Sequence, residues 1–358
     1  QGVGVEPQAR AAANIIQEIR PDILVINEID HDYDHLDEGY ALTARLFSKN
    51  YLQSGDNPID YPYAYAAPNN TGLLTGLDLN RDGQVSTDSH RGQRSHGDDC
   101  YGWGRYPGEF SMAVLSMYPL ATGEARTFQK MLWRDLPGNH IPPDYYSAES
   151  LDILRLSSKS HWDLPIQVGS SKWHLLLSHP TPQGFDGDED RNGRRNFDEI
   201  MFWAHYLDGS EAIYDDRGEK GGYSGSDPFV IAGDLNARPA RPSDLRAKPS
   251  WTLPSIYDGK AAIAQLLEHP SVQDSGSWLT SGRSLGALRP GAPDFPERAS
   301  ASFGDGARID YLLPSAGLRI LGGGVYWPNE TEDPEGAAWA EEASDHRLVW
   351  IDLADPES

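Results

Sequence analysis

Short apolar runs that end abruptly in polar residues recur along this chain. Residues 23–26 read Ile-Leu-Val-Ile and are followed by Asn27-Glu28. Trp173 to Ser178 reads WHLLLS and is followed by His179-Pro180-Thr181-Pro182. Phe229-Val230-Ile231-Ala232 follows a Gly/Ser-rich loop and runs into Gly233-Asp234-Leu235-Asn236. Apolar runs bounded by turn residues predict strands buried on both faces. The same pattern predicts strands at Ser111–Tyr118, Leu164–Val168, Arg308–Leu313, Leu318–Trp327 and His346–Leu353. A different period marks Pro7 to Arg20, where Ala12, Ile15, Ile16 and Ile19 share one helical face. Pro7 suits a first-turn position, and Pro21-Asp22 stops the helix. A helix feeding a strand through two residues is half of a βαβ unit, so the chain reads as α/β. Further helices are predicted at Phe197–Leu207 and Ala261–Leu267, a Pro-rich loop at 238–254 and an irregular stretch at 275–300.

The polar strand ends carry the chemistry. Side chains alternate along a strand, so Asp234 and Asn236 point to one side and Leu235 to the other. Burying such groups unpaired costs several kcal/mol, roughly 2–7 for the amide alone. A metal ion or a phosphate removes that cost; a polar strand end followed by a turn is the plainer alternative. Glu28 is either a metal ligand or a salt-bridged strand end, since glutamate is almost never buried unpaired. Glu28, His179, Asp234, Asn236, Asp310, Asp345 and His346 all fall at the edges of predicted strands. Ligands gather at the carboxyl ends of strands in α/β sheets. Carboxylates and an amide are hard oxygen ligands for Mg²⁺, Mn²⁺ or Ca²⁺. Two histidines can donate to a phosphoryl oxygen or act as acid and base, and Asp310 can orient one of them. Together these are the parts for attacking phosphorus with a metal-assisted water.

Lys159 and His161 are further candidates for touching a phosphate. Arg191, Arg194, Arg195 and Asn196 follow His179 closely; they either recognise an anion or pair with Asp186, Asp188, Glu189 and Asp190. Residues 68–110 and 128–150 show no hydrophobic period and read as surface insertions. The first contains Asp78, Asn80, Asp82, Gln84 and Asp88 around Gly83, spaced like a calcium loop with its last carboxylate one residue early. It is either a structural Ca²⁺ site or a solvated Asx-rich turn. His90, His96, Asp98, Asp99 and Cys100 could form a separate transition-metal site, although their spacing matches no standard finger.

Composition narrows the setting. The 358 residues carry a net charge of −24, too acidic for sequence-independent binding to DNA phosphates. No apolar run is long enough to span a membrane. The single cysteine, Cys100, excludes an internal disulfide framework. No internal repeat or linker appears, so one domain with insertions is expected, as a monomer. Acidity, cysteine scarcity and the calcium-like loop point to a secreted or periplasmic protein; the chain opens on Gln1, so an export signal can have been removed.

Five motifs, ILVINEID, LLLSHPTP, VIAGDLNARP, RIDYLLPS and SDHRLVWIDL, occur in the order found in the endonuclease/exonuclease/phosphatase superfamily, which this chain resembles over residues 8–353. The resemblance implies a four-layer α/β sandwich, two packed mixed sheets flanked by helices. It implies Glu28 as ligand of the catalytic divalent ion and Asp345 as a second contact. Asp234 would position or deprotonate the attacking water, Asn236 and His179 would bind phosphate, and His346, oriented by Asp310, would act as acid/base. It also implies a first strand bearing an asparagine ahead of the first helix; that strand is expected to lie before Gln1. The expected activity is metal-dependent hydrolysis of a phosphodiester or phosphomonoester, on a small organic phosphate, nucleotide or lipid headgroup. The alternatives are an extracellular nuclease and, from another class, a non-catalytic extracellular calcium-binding module.

Overall fold

The computed structural model describes residues 6–239, 261–281, 299–302 and 307–354. Most of the expected Pro-rich loop and of the irregular stretch at 275–300 lies outside them. The first half carries α1 (Pro7–Ile19), β1 (Ile23–Ile29), α2 (Leu42–Phe47), β2 (Tyr63–Tyr65), α3 (Arg94–Gly97), β3 (Ser111–Ser116), β4 (Arg126–Thr127) and α4 (Ala148–Ile153). The second half carries β5 (His161–Val168), β6 (Ser171–Ser178), α5 (Arg191–Leu207), β7 (Phe229–Asp234) and α6 (Ala262–Leu267). It ends with β8 (Asp310–Pro314), β9 (Ile320–Val325), α7 (Pro334–Ala343) and β10 (Val349–Leu353).

Strand alternation builds four layers. In β3, Ala113 and Leu115 face the core under α1, while Met112 and Val114 face the second sheet. In β7, Val230 and Ala232 meet Met112 and Val114 in that central core, while Ile231 turns to the core under α5. Helices α1 and α7 therefore cover one sheet layer, and α5 with α6 covers the other. The second layer is one five-stranded mixed sheet in the order β4-β5-β6-β7-β8, with β6 and β7 parallel. Among the described residues the first layer is two separate pieces, β1-β3-β2 and β10-β9, each antiparallel. Helix α1 stops where Arg20 adopts a left-handed conformation, φ 54°, and its N–H bonds back to the Ile16 carbonyl at 2.7 Å.

Two expectations need correction. Residues 128–150 are not wholly a surface insertion: Phe128, Met131, Trp133 and Leu136 are fully buried against α5. Trp133 donates its indole N–H to Asp198 at 2.6 Å, which explains how so large a side chain lies beneath an irregular segment. Arg195, expected to bind substrate, instead holds the backbone together. Its guanidinium donates to the carbonyls of Leu156, Tyr101, Arg155 and Ser157 at 2.6–3.1 Å. A planar fork can satisfy several carbonyls at once, and here it welds the loop before β5 to the first insertion.

Replacing Arg195 by lysine should therefore act on folding. A single ammonium cannot serve four carbonyls, and leaving buried acceptors unpaired costs about 1–3 kcal/mol each. Urea unfolding of Arg195→Lys should show a loss of roughly 2–4 kcal/mol. A raised KM with unchanged stability would instead make Arg195 a substrate contact.

Candidate active site

Three neighbouring strands bring the central residues together. Strands β6 and β7 run parallel with Leu177 opposite Ala232. Continuing that register carries His179 and Asp234 out of the sheet side by side. Asp310, the first residue of β8, pairs directly opposite Asp234. His346 comes from the loop before β10 and bridges to Ala301. Gly233 makes the close approach possible: its φ is 149°, and a Cβ there would lie 2.0 Å from the Ser178 carbonyl oxygen. Glu28 reaches the same point from the first layer. A β-bulge between Asn27 and Ile29, with Glu28 at φ 59°, turns its side chain out of the ladder.

A chain of contacts results. His179 Nε2 lies 3.4 Å from Asp234 Oδ2 and 3.8 Å from Glu28 Oε1. His346 Nε2 lies 3.9 Å from Asp234 Oδ2. His346 Nδ1 meets the Asp310 carboxylate at 3.0 and 3.2 Å, an Asp–His pair of orienting geometry. One donor atom each from Asp234, Asp310 and His346 falls within 4.8 Å of the other two. His179 is buried, yet neither ring nitrogen has a hydrogen-bond partner. Such orphaned polar atoms in a concave site await a ligand. Asp234 Oδ1 accepts the Asn236 N–H at 2.8 Å, which leaves Oδ2 facing the histidines. Asn236 gives a carboxamide N–H to the Pro180 carbonyl at 3.0 Å, tying the end of β7 to the loop after His179.

Burial and neighbouring charge set the electrostatics. Burial alone would raise the Asp234 carboxyl, but His179, His346 and the Asn236 N–H outweigh it and hold Asp234 below the usual range. Asp310 moves the other way: burial and the nearby Asp234 charge exceed the help from His346. Burial would lower His346, but the hydrogen bond and charge of Asp310, with Asp234 and Asp345 nearby, raise it to about 9. Asp345 itself is exposed; its backbone carbonyl accepts from Ser302, and its carboxylate stands outside the cluster.

Lys159 is the cation of the site. It is 5% exposed, and its ammonium forms no hydrogen bond among the described residues. Desolvation lowers its pKa against the pull of Glu199, Glu28 and Asp234. Its backbone is fixed by Asn70, whose N–H donates to the Lys159 carbonyl at 2.9 Å. Glu199 is the organiser that sequence reasoning missed. Its carboxylate accepts from Ser158 N–H at 2.6 Å and Thr181 N–H at 2.7 Å, pinning the Lys159 and His179 loops to α5. The available signal was three polar residues, Asn196, Asp198 and Glu199, entering an otherwise apolar helical face.

Other candidates lie elsewhere. His161 is a core residue, bonded to the Glu199 carbonyl and the Ser157 hydroxyl, with its pKa pushed down to about 4 by burial. Arg191 pairs with the Glu189 carboxylate, and Arg194 donates to the backbone carbonyls of Glu189 and His140. Asp78, Asn80 and Asp82 accept backbone N–H groups of Asp82, Gly83 and Gln84, as Asx turns do. Asp88 opens a short turn capped by Thr87, and Asp99 closes the loop from outside by accepting from Leu79 and Ser86. His90, His96, Asp98, Asp99 and Cys100 do not converge as a metal site among the described residues. His96 bonds to the Gly72 carbonyl, Cys100 to the His96 carbonyl, and Asp98 to Trp103.

A sequence profile of the Endonuclease/Exonuclease/phosphatase family matches residues 1–346. No curated protein matches the chain. Among solved structures, an endonuclease/exonuclease/phosphatase from Beutenbergia cavernae is 16% identical with a TM-score of 0.51, over 98% of this chain and 66% of that one. A family protein from Leptotrichia buccalis is 12% identical with a TM-score of 0.49, over 97% and 93%. Beta toxin from Staphylococcus aureus, solved with bound magnesium ions, is 12% identical with a TM-score of 0.39, over 88% and 81%. With its acidic and histidine side chains gathered at strand ends between two packed sheets, the chain belongs to the endonuclease/exonuclease/phosphatase family, whose members hydrolyse phosphoester bonds.

Proposed function

We propose that this chain is a divalent-cation-dependent phosphoesterase that uses an activated water to displace an alcohol from a small organic phosphate, a nucleotide or a lipid headgroup. The observation that carries the reading is the buried His179 ring, unpaired at both nitrogens and flanked by the carboxylates of Glu28 and Asp234. The donor set suits a hard cation: Glu28 and Asp234 would hold Mg²⁺ or Mn²⁺, with Asp345 at the rim. Bound there, the cation supplies Lewis-acid polarisation of a phosphoryl oxygen.

The remaining work belongs to the chain's own residues. Asp234 Oδ2 orients the attacking water and takes its proton. His346, held by Asp310 at 3.0 Å, keeps its Nε2 face toward the reacting centre and exchanges a proton there. His179 and Lys159 bind phosphate oxygens, with Asn236 beside them. Lys159 suits this role because a buried ammonium without a partner gains most from an anion.

Charge favours a small substrate. At −24 the molecule as a whole repels the polyanionic backbone of a nucleic acid. The first insertion packs against the loop carrying Lys159: Asn70 donates its N–H to the Lys159 carbonyl, and Gly102 lies close to the Ser158 carbonyl. The same acidity fits an extracellular setting.

Hydrolysis of bis-p-nitrophenyl phosphate should require Mg²⁺ or Mn²⁺ and stop on chelation. Turnover should also appear on nucleotides or phosphorylated headgroups before duplex DNA. Absence of turnover across phosphomonoesters, phosphodiesters and nucleic acids, with each cation present, would point to a non-catalytic module; faster cleavage of DNA than of any small ester would point to a nuclease.

Asp234→Ala and His346→Ala should each lower kcat by about 10²–10⁴-fold while melting near the parent temperature, the usual worth of one acid/base group. Near-parental kcat in either variant would remove that residue from the chemistry. Lys159→Met should raise KM about tenfold or more, as loss of a charge-assisted hydrogen bond does. An unchanged KM would show that the ammonium never meets the substrate.

A further inference from the structure

Trp103 and Phe110 take no part in the chemistry proposed above, yet the fold sets them beside it as a pair. Their rings stack with centroids 6.0 Å apart and planes 30° from parallel. Both belong to the first insertion, and each is tied to a different flank of the candidate site. Phe110 stands just ahead of β3, one residue beyond the pair formed by Ile29 and Ser111, so it lies at the strand end that carries Glu28. Its N–H donates to Asp30 Oδ1 at 3.3 Å, and the Tyr106 hydroxyl donates to the other oxygen of that carboxylate at 2.6 Å. Trp103 follows Gly102, which is pressed so closely on the loop carrying Lys159 that no Cβ fits against the Ser158 carbonyl. Lys159 and Glu28 are near enough for their charges to act on each other. The two rings therefore span the rim between the proposed cation ligand and the proposed phosphate-binding ammonium.

Both rings are held in place, and both stay partly uncovered. Trp103 is 37% exposed, although its indole N–H donates to Asp98 Oδ1 at 3.3 Å and the Arg94 guanidinium lies 5.6 Å from its ring centre. Helix α3 backs the indole: a Cβ at Gly97 would meet Trp103 Nε1 at 2.7 Å. Phe110 is half-buried and takes a left-handed φ of 56°, which a bulky side chain adopts only where its surroundings impose it. Glu28, two residues back on the facing strand, is left-handed as well, at φ 59°. An aromatic pair that is fixed yet still offers surface loses little entropy when a ligand stacks on it.

We infer that Trp103 and Phe110 form a stacking platform for the organic part of the substrate, and that this part is a flat heteroaromatic ring such as a nucleobase. Such a platform rests on the phosphoesterase reading above and narrows its substrates to nucleotide-like esters. Charge decides between a flat ring and a cationic headgroup. The Trp103 ring already carries Arg94, so a quaternary ammonium arriving there would meet a like charge. A neutral ring gains from the guanidinium as well as from the aromatic faces. Stacking reads a π-face and not a hydrogen-bonding edge, so purines and pyrimidines should both be taken.

Adenosine 5′-monophosphate and ribose 5-phosphate share sugar and phosphate and differ only in the base. Their inhibition constants against bis-p-nitrophenyl phosphate turnover in Mg²⁺ therefore isolate the platform. The nucleotide should inhibit at least about tenfold more tightly, the scale of one stacked base. Trp103→Leu and Phe110→Leu should each remove most of that difference by weakening the nucleotide alone, with ribose 5-phosphate inhibiting as before. Trp103→Phe keeps a ring and should retain the difference. Equal inhibition of the parent chain by the two compounds would overturn the platform and leave the phosphate site standing. So would an unchanged preference in both leucine variants, an equal weakening of both compounds, or phosphocholine inhibiting more tightly than the nucleotide. No turnover of the ester at all would defeat the phosphoesterase reading, and the platform with it.

Discussion

The parallel pairing of β6 and β7 is the constraint on which the site depends. It sends two strands out of the sheet in the same direction, so Asp234 at the end of β7 and His179 just beyond β6 emerge side by side. The pairing is tight where it ends: the Ser178 carbonyl occupies the space a Cβ at position 233 would need, so only glycine fits. Antiparallel β8 then adds Asp310 opposite Asp234, and Asp310 in turn fixes His346. Four functional groups are thus placed by backbone register on rigid elements, with the long insertions left to shape the walls.

Keeping so many charges together in a dry place requires compensation, and the chain supplies it locally. Glu199 and Asp198 are buried on α5, but each carboxylate is surrounded by N–H donors, from Ser158 and Thr181 for one and from Trp133 and His140 for the other. Satisfied carboxylates of this kind rigidify the loops that donate to them. The reactive cluster is built differently. His179 is left without hydrogen bonds, Lys159 without a partner, and Glu28 half exposed at the mouth. The carboxylates of Glu199 and Asp198 are saturated with donors, whereas His179 and the Lys159 ammonium in the candidate site are not.

This division explains what could be read in the sequence. The strand-end residues were legible because an apolar run broken by Glu, His or Asp contradicts the local pattern, and that contradiction has few physical resolutions. The order of strands in each layer was not legible, because pairing partners are set by long-range packing and not by the strand's own residues. Arg195 and Lys159 looked equivalent as isolated cations near a phosphate-binding candidate. What separates them is whether backbone carbonyls happen to surround the group, and those carbonyls belong to segments about 40 and 90 residues away in sequence. His161 failed as a candidate for the same reason: its partners, Ser157 and the Glu199 carbonyl, are set by how α5 packs on β5. The segment 128–150 was misplaced because irregular backbone was equated with surface, whereas Asp198 and His140 give it enough hydrogen bonds to lie over the core.

The acidity of the chain and the anionic character of its proposed substrate are compatible for a physical reason. Surface carboxylates act through high-dielectric solvent and are screened within about 8 Å at physiological salt. The groups facing the reacting centre act across a short, water-poor gap where each charge counts far more. There, Lys159 and His346, whose proton affinity Asp310 raises, stand near the Glu28 and Asp234 carboxylates proposed to hold a cation. A divalent ion bound by those carboxylates would make the local field positive although the molecule is strongly negative. A long polyanion would span both regions and be repelled by most of the surface it crossed. Under the proposed reading, a compact phosphate ester would enter only the inner one, and the charge distribution would favour small substrates.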